Sequence, residues 1–262
     1  MAGDRHLLFL QKDYCLYCHG VTMKTGVILF AYKSDDGTRS VVEWYAERLR
    51  EKGHIDVNTA FFSGEPGIVE TLKKMNVHGM NNTFVVIPMV LSEGDLTVHR
   101  MPEQMGMPDN SCSYTYITGT HIAIRFSTTI GGSEALSRTL LNRLKEVSAS
   151  SSDGVLILAH GSRLSMKSSD VKKQADHLSK NGFPNTEYAL MEHSDYPIES
   201  AMDSLIKNGA KRIIVLPLFL SKSKESIEPL IPKSVVPMVL ANCIGTDENI
   251  LEEIDQKIPE GW

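Results

Sequence analysis

Residues 155–163 read VLILAHGSR. Five apolar or small residues run without interruption into a histidine. An unbroken run of this kind, rich in Val, Ile and Leu, is the pattern of a parallel strand buried on both faces. A fainter version, VILFAYKSD, occupies 27–35, with Tyr32 where the histidine would stand. The two runs lie 128 residues apart, counted from Gly26 to Gly154.

The duplication continues along the chain. VVEWYAERLREKG (41–53) matches DVKKQADHLSKNG (170–182), and each stretch ends on glycine. Val41, Tyr45 and Leu49 recur every four residues, so both segments read as amphipathic helices stopped by Gly53 and Gly182. PGIVETLKKMNVHG (66–79) matches PIESAMDSLIKNG (197–209), and each starts on a proline suited to a first helical turn. TFVVIPMVLSEG (83–94) matches RIIVLPLFLSKS (212–223), two further buried-strand runs. HIAIRFSTTIGGSEALSRTLLNRL (121–144) matches VPMVLANCIGTDENILEEIDQKI (236–258), with Ser133 and Asp247 placed as helix N-caps.

Each half therefore reads β-α-β-α-β-loop-β-α. That order implies an α/β fold of two similar domains, each a parallel sheet flanked by helices. The boundaries expected are an N-terminal extension at 1–25, a first domain at 26–148 and a second at 153–262, joined through SASSSD (148–153). Ligands in such folds bind beyond the carboxyl ends of the strands, and the cleft between the two domains is the expected site. His160 ends one such strand.

The strand ending A-H-G-S-R, the mid-domain strand ending P-L-F-L-S and the duplicated half together resemble the class II tetrapyrrole metal chelatases. That group includes the sirohydrochlorin cobalto- and ferrochelatases and, more distantly, the protoporphyrin ferrochelatases. The resemblance covers nearly everything from Gly26 onward. It implies a lyase that inserts a divalent metal, Co2+, Fe2+ or Ni2+, into a tetrapyrrole without ATP or any required cofactor. It implies a place in cobalamin, sirohaem or haem-type biosynthesis, with the tetrapyrrole and the metal ion as partners.

Carried onto this sequence, the resemblance makes His160 the metal-facing histidine and Glu192 the acidic residue after the second strand. The family's second histidine is missing from FLSKSKESIEPLIP (219–232). Glu225 falls at its position, while the similarity of E-S-I-E-P-L to the protoporphyrin enzymes' S-D-H-I-E-T-L selects Glu228. The catalytic set is thus His160, Glu192, Glu225 and Glu228, with His160, Glu192 and Glu225 facing the metal. In the first half, Tyr32, Ser63 and Leu96 stand near the corresponding positions. The second half keeps the chemistry, and the first keeps the fold and supplies the other wall.

The chemistry fits these residue types. Metallation removes two pyrrole protons and strips water from the metal. A neutral imidazole can take a proton or ligate near neutral pH, and carboxylates can relay protons. Few protein ligands suit a metal that must leave for the macrocycle. The macrocycle's carboxylates call for local cations on a chain of formal net charge -5. Ser162, Arg163, Lys167, Lys222 and Lys224 lie on the two loops beside the site, and Met166 and Phe219 are candidates for packing the flat ring.

Plainer readings exist for each. A strand-end histidine is ordinarily solvated or capped, and acids at a helix start are explained by the helix dipole. A non-catalytic tetrapyrrole or metal binder descended from chelatases, and a two-lobed sensor that closes on a small ligand, are the alternatives to the enzyme.

Net charge and composition, 42% hydrophobic and 23% charged, argue against a nucleic-acid partner. No apolar run approaches the roughly 20 residues of a membrane span, and the expected location is the cytoplasm. Four cysteines do not make a disulfide framework at this length. CLYCH (15–19) carries the C-x-x-C-H spacing of haem attachment. Cys15, Cys18 and His19 are also candidates for a Zn or Fe–S site completed by Cys112 or Cys243, or for free thiols.

Overall fold

A computed structural model describes residues 25–54, 56–76, 83–108, 112–117, 120–161, 169–191 and 195–259. The first half contains strands β1 (Thr25–Lys33), β2 (Val57–Ser63), β3 (Thr83–Pro88), β4 (Cys112–Ile117) and β5 (Thr120–Phe126). Its helices are α1 (Asp36–Glu51), α2 (Ile68–Met75), a π-helical turn (Leu96–Arg100) running into α3 (Met101–Gln104), and α4 (Glu134–Glu146). The second half contains β6 (Gly154–Ala159), β7 (Thr186–Leu190), β8 (Ile213–Pro217) and β9 (Met238–Leu240). Its helices are α5 (Ser169–Lys180), α6 (Ile198–Lys207), α7 (Lys224–Ile227) and α8 (Glu248–Gln256).

The strand orders are β2-β1-β3-β5-β4 and β7-β6-β8-β9. Every pairing is parallel except that of β4 with β5. The two sheets repeat the same register: Phe30 faces Pro88 across β1 and β3, and Leu158 faces Pro217 across β6 and β8. The duplicated α/β architecture is the one read from the sequence. The antiparallel edge strand β4 and the helical segment after β3 are additions of the first half.

Several local readings hold and one shifts. Gly53 and Gly182 end α1 and the α5 segment at φ +102° and +101°, a conformation open to glycine at little cost. Ser133 and Asp247 cap their helices, accepting from Leu136 N and Asn249 N. The prolines sit outside the helices: Pro197 is itself the cap residue, and Pro66 precedes the Gly67 cap. Both cap residues hold extended backbone, and the helical turns begin at Ile68 and Ile198.

Alternation along the middle strands divides the core. Val27, Leu29 and Ala31 point inward with Val155, Ile157 and Ala159. Ile28 and Phe30 face α2 and α3, and Leu156 and Leu158 face α6. The inward faces of both sheets, with α1, α4, α5 and α8, form one continuous core that includes Tyr45, Leu140, Leu178 and Ile254. A large apolar interface of this kind holds two units in one arrangement, which counts against a sensor that closes about a hinge. No described helix is long and apolar enough to cross a membrane.

Candidate active site

β6 is a central strand of its sheet, and the strand order reverses between β6 and β8. Such a switch point opens a crevice at the carboxyl ends of the strands. His160 stands there, one residue beyond the end of β6, and is exposed. Gly161 follows at φ +89° and turns the chain out of the sheet. The neighbouring chains are fixed on both sides. Met191 N donates to Ala159 O at 2.9 Å, and Leu218 N donates to Leu158 O at 2.8 Å. His160 is therefore flanked by the chain leaving β7 at Met191 and by the loop leaving β8 at Leu218.

That loop carries the remaining described candidates. Lys222 lies over the ring of Phe219, 5.0 Å from its centroid, so the ring expected to pack a flat substrate already carries a cation on one face. Glu225 sits in the first turn of α7 behind the cap residue Ser223, and is exposed. Its own backbone N–H and the Ser223 hydroxyl hold its carboxyl below the usual range. Glu225 is thus a fixed negative charge at a helix start. Glu228 and Lys224 are exposed at either end of the same short helix. Glu192, Ser162, Arg163, Met166 and Lys167 lie outside the described residues, as do Cys15, Cys18 and His19.

Among the described residues no three His, Cys, Asp or Glu side chains come together to hold a metal ion. Cys243 is half-buried, its thiol donates to Lys222 O at 3.2 Å, and burial raises it above its ordinary range. Among the described residues it serves as a loop anchor, and Cys15, Cys18 and His19, whose metal site it would complete, lie outside them.

The first half shows the same place with different contents. Met89 N donates to Phe30 O at 2.8 Å, repeating the Leu218 bond. Tyr32, 44% exposed, occupies the histidine position and stacks on Phe62 at 5.9 Å. The guanidinium of Arg100 lies 5.0 Å from the centre of the Phe62 ring. Ser63 and half-buried Leu96 supply no acid or base there.

The loops of the two halves meet at two corners. At one, a methyl group on Gly37 would lie 2.5 Å from Ser221 Oγ, so the start of α1 presses on the loop after β8. At the other, Glu93 N donates to Asp170 Oδ2 at 3.2 Å, so the loop after β3 meets the start of α5. Beside the second corner a cavity of about 380 Å3 opens between the halves. It is lined by Ser127, Thr128, Asp170, Lys173, Glu253 and Lys257 among others, and by none of the candidates named from the sequence.

The sequence reading missed Tyr45 and Arg143, first-half side chains that bond the turn after β9 at Gly245, Cys243 and Ile244. Tyr45 was legible only as one member of an apolar stripe. Its pairing with the polar Gln174 in the repeat was the available signal.

Comparisons with known proteins agree with this architecture. The sequence model of the CbiX family matches residues 33–147 and again 154–260. The sirohydrochlorin cobaltochelatase of Sulfurisphaera tokodaii is 32% identical over 112 residues, covering 41% of this chain and 92% of that protein. The sirohydrochlorin cobaltochelatase of Methanocaldococcus jannaschii is 40% identical over 70 residues, 26% of this chain and 49% of that one. Among solved structures, SirB from Bacillus subtilis with Fe3+ superposes with a TM-score of 0.69 at 16% identity, over 90% of this chain and 94% of that chain. With the fold shared and the family model matched twice over most of its length, the chain belongs to the CbiX family, two chelatase-type domains carried on one polypeptide.

Proposed function

We propose that the protein inserts a divalent metal ion, Co2+, Fe2+ or Ni2+, into sirohydrochlorin or a closely related tetrapyrrole without ATP. The observation that carries this reading is His160, exposed at the strand switch point of the second half, in a chain whose relatives are named sirohydrochlorin cobaltochelatase. The first-half counterpart of this imidazole is the phenol of Tyr32.

In this reading the second unit, residues 153–262, carries the chemistry and the first, residues 26–148, buttresses it. The imidazole of His160 accepts a pyrrole N–H proton as the metal enters, or meets the metal and hands it on. Glu192 and Glu228 pass protons to solvent. Glu225, exposed in the first turn of α7, meets the cation at the mouth and shares the proton relay. Ser162, Arg163, Lys222 and Lys224 hold the macrocycle's carboxylates. The substrates fit a soluble enzyme of the cytoplasm, in a pathway to a cobalt-, iron- or nickel-containing tetrapyrrole.

An anaerobic absorbance time course tests it. The protein is mixed with sirohydrochlorin and Co2+, Ni2+ or Fe2+ in turn, beside protoporphyrin controls. His160→Ala should lose between about a hundred- and ten-thousand-fold of the metallation rate, the range for losing a positioned acid–base group. Equal rates for the variant and the parent would sink the proposal. Binding spectra without turnover in the parent would point instead to a tetrapyrrole binder. The loop 219–232, which has no histidine, is the feature that keeps that reading alive.

A further inference from the structure

We propose that Arg143 and Tyr45, both in the first half, are positioning residues for the loop after β8 that flanks His160 in the second. The inference rests on the chelatase reading for its meaning, but its geometry is independent of it.

The support runs in two layers of hydrogen bonds. The inner layer ties the site loop to the turn after β9. Ile244 N donates to Phe219 O at 3.0 Å, and Gly245 N donates to Leu220 O at 2.9 Å. Cys243 Sγ donates to Lys222 O at 3.2 Å. Three successive residues of the turn thus hold three carbonyls of the segment that presents Lys222 and leads into Lys224 and Glu225.

The outer layer ties that turn to the first half. Arg143 Nε donates to Cys243 O at 2.9 Å, and Nη2 donates to Ile244 O at 2.6 Å and to Thr246 O at 3.4 Å. Nη2 also faces the Asp247 carboxylate at 3.6 Å. Tyr45 Oη donates to Gly245 O at 2.9 Å and accepts from Asp247 N at 3.0 Å. The Arg143 side chain is 12% exposed, and Tyr45 is fully buried. Every residue from Cys243 to Asp247 therefore has a bond to one of two side chains from the other half. A planar, always-charged guanidinium inside a set of carbonyls fixes direction as well as distance.

The other corner shows what the arrangement is without such a grip. Aligning the final helices by their caps, Ser133 with Asp247, places Lys257 at the position of Arg143. Among the described residues, Lys257 reaches one side-chain oxygen of the facing loop, Thr128 Oγ1 at 2.9 Å, and pairs with Glu253 on its own helix at 2.9 Å. Gln174, aligned with Tyr45, donates to Gly131 O at 2.9 Å and to Ser133 O at 3.2 Å. The 380 Å3 cavity lies at this corner. The tighter clamp is on the half that keeps the histidine.

Two readouts on Arg143→Ala, Arg143→Lys and Tyr45→Phe test the proposal, at a temperature where far-ultraviolet circular dichroism shows each variant folded. The first is steady-state metallation of sirohydrochlorin by Co2+. Arg143→Ala should lower kcat/KM for the macrocycle about tenfold, within the range for a small misplacement of binding groups, and leave KM for Co2+ unchanged. Arg143→Lys should recover part of the loss. The second is alkylation of Cys243 by iodoacetamide, followed by mass spectrometry of its peptide. A loosened turn should raise that rate about tenfold in Arg143→Ala and about threefold in Tyr45→Phe.

A purely structural role would lower the melting temperature and leave both readouts unmoved in the folded variants, and that result overturns the proposal. Faster alkylation with unchanged kcat/KM overturns it too, since the loop would then be held without consequence for the substrate. If Arg143→Ala fails to fold, Arg143→Lys and Tyr45→Phe decide by the same criteria. If the parent metallates no macrocycle, the chelatase reading fails alone, and the alkylation rates still decide whether these residues hold the loop.

Discussion

The two corners where the halves meet use the same backbone and differ in their side chains. At the corner beside His160, Tyr45 and Arg143 bond to the turn after β9. At the corner beside Tyr32's sheet, the aligned positions are Gln174 and Lys257. A fold duplicated within one chain starts with equal corners. The difference shows where rigidity is concentrated: in the loop leaving β8, next to the only histidine of the pair of strand-end positions. The first half thus has a structural reason to persist without a metal-facing residue of its own.

The largest expected effect compares the two strand ends directly. His160→Ala should cost about a thousandfold in metallation, roughly 4 kcal/mol of barrier, with little change in melting temperature because the side chain is exposed. Tyr32→Ala should change the rate less than about threefold. Comparable losses at both positions would mean that both halves carry chemistry, and the comparison would break.

Next comes the clamp. Arg143→Ala should destabilise the fold by about 3 kcal/mol, because it strips a charged donor from several carbonyls in a largely buried setting. Lys257→Ala, with one hydroxyl and one same-helix carboxylate as partners, should cost about 1 kcal/mol. Denaturant midpoints of the two variants measure the difference, and equal costs would remove the asymmetry.

Acid titration probes the second half alone. Arg212 grips Asp153 with Nε to Oδ1 at 2.9 Å and Nη2 to Oδ2 at 2.6 Å. These bonds, against the opposing effect of burial and with help from Ser150, lower the carboxyl from 3.8 to about 2. A carboxyl lowered on folding adds stability above its unfolded value, and that stability drains away as pH falls from about 4 to about 2. The contribution is about 2 kcal/mol at neutral pH. Asp153→Asn should therefore be less stable than the parent at pH 7 by about that amount, and the gap should close near pH 2. A gap that persists there would show that the pair acts by shape alone.

The smallest effect refines the comparison. Tyr45→Phe leaves Gly245 O and Asp247 N without their shared partner, at a cost of about 1 to 2 kcal/mol. Gln174→Leu at the opposite corner also strands the Ser137 hydroxyl, which donates to Gln174 Oε1 at 2.6 Å. Its cost should be similar in stability, with no effect on macrocycle kcat/KM.

The sequence by itself determined the duplication, the parallel strands, the helix stops at Gly53 and Gly182 and the place of His160. These follow from local pattern: an apolar run has to be buried, a glycine at positive φ ends a helix, and a residue after a buried strand arrives at the sheet's edge. Glu225 was legible by position, but its anchoring by Ser223 and its own N–H was not, because a cap depends on where the helix starts. The antiparallel strand β4 escaped notice because it pairs through a hairpin at an edge the repeat does not share. Tertiary structure alone decided that α1, α4, α5 and α8 share one core, that Cys243 is an anchor for Lys222, and that Arg143 crosses to the other half's turn. Bonds between residues 100 positions apart leave no local signature, since their donors and acceptors are brought together only when two buried faces pack and their unpaired carbonyls must find partners.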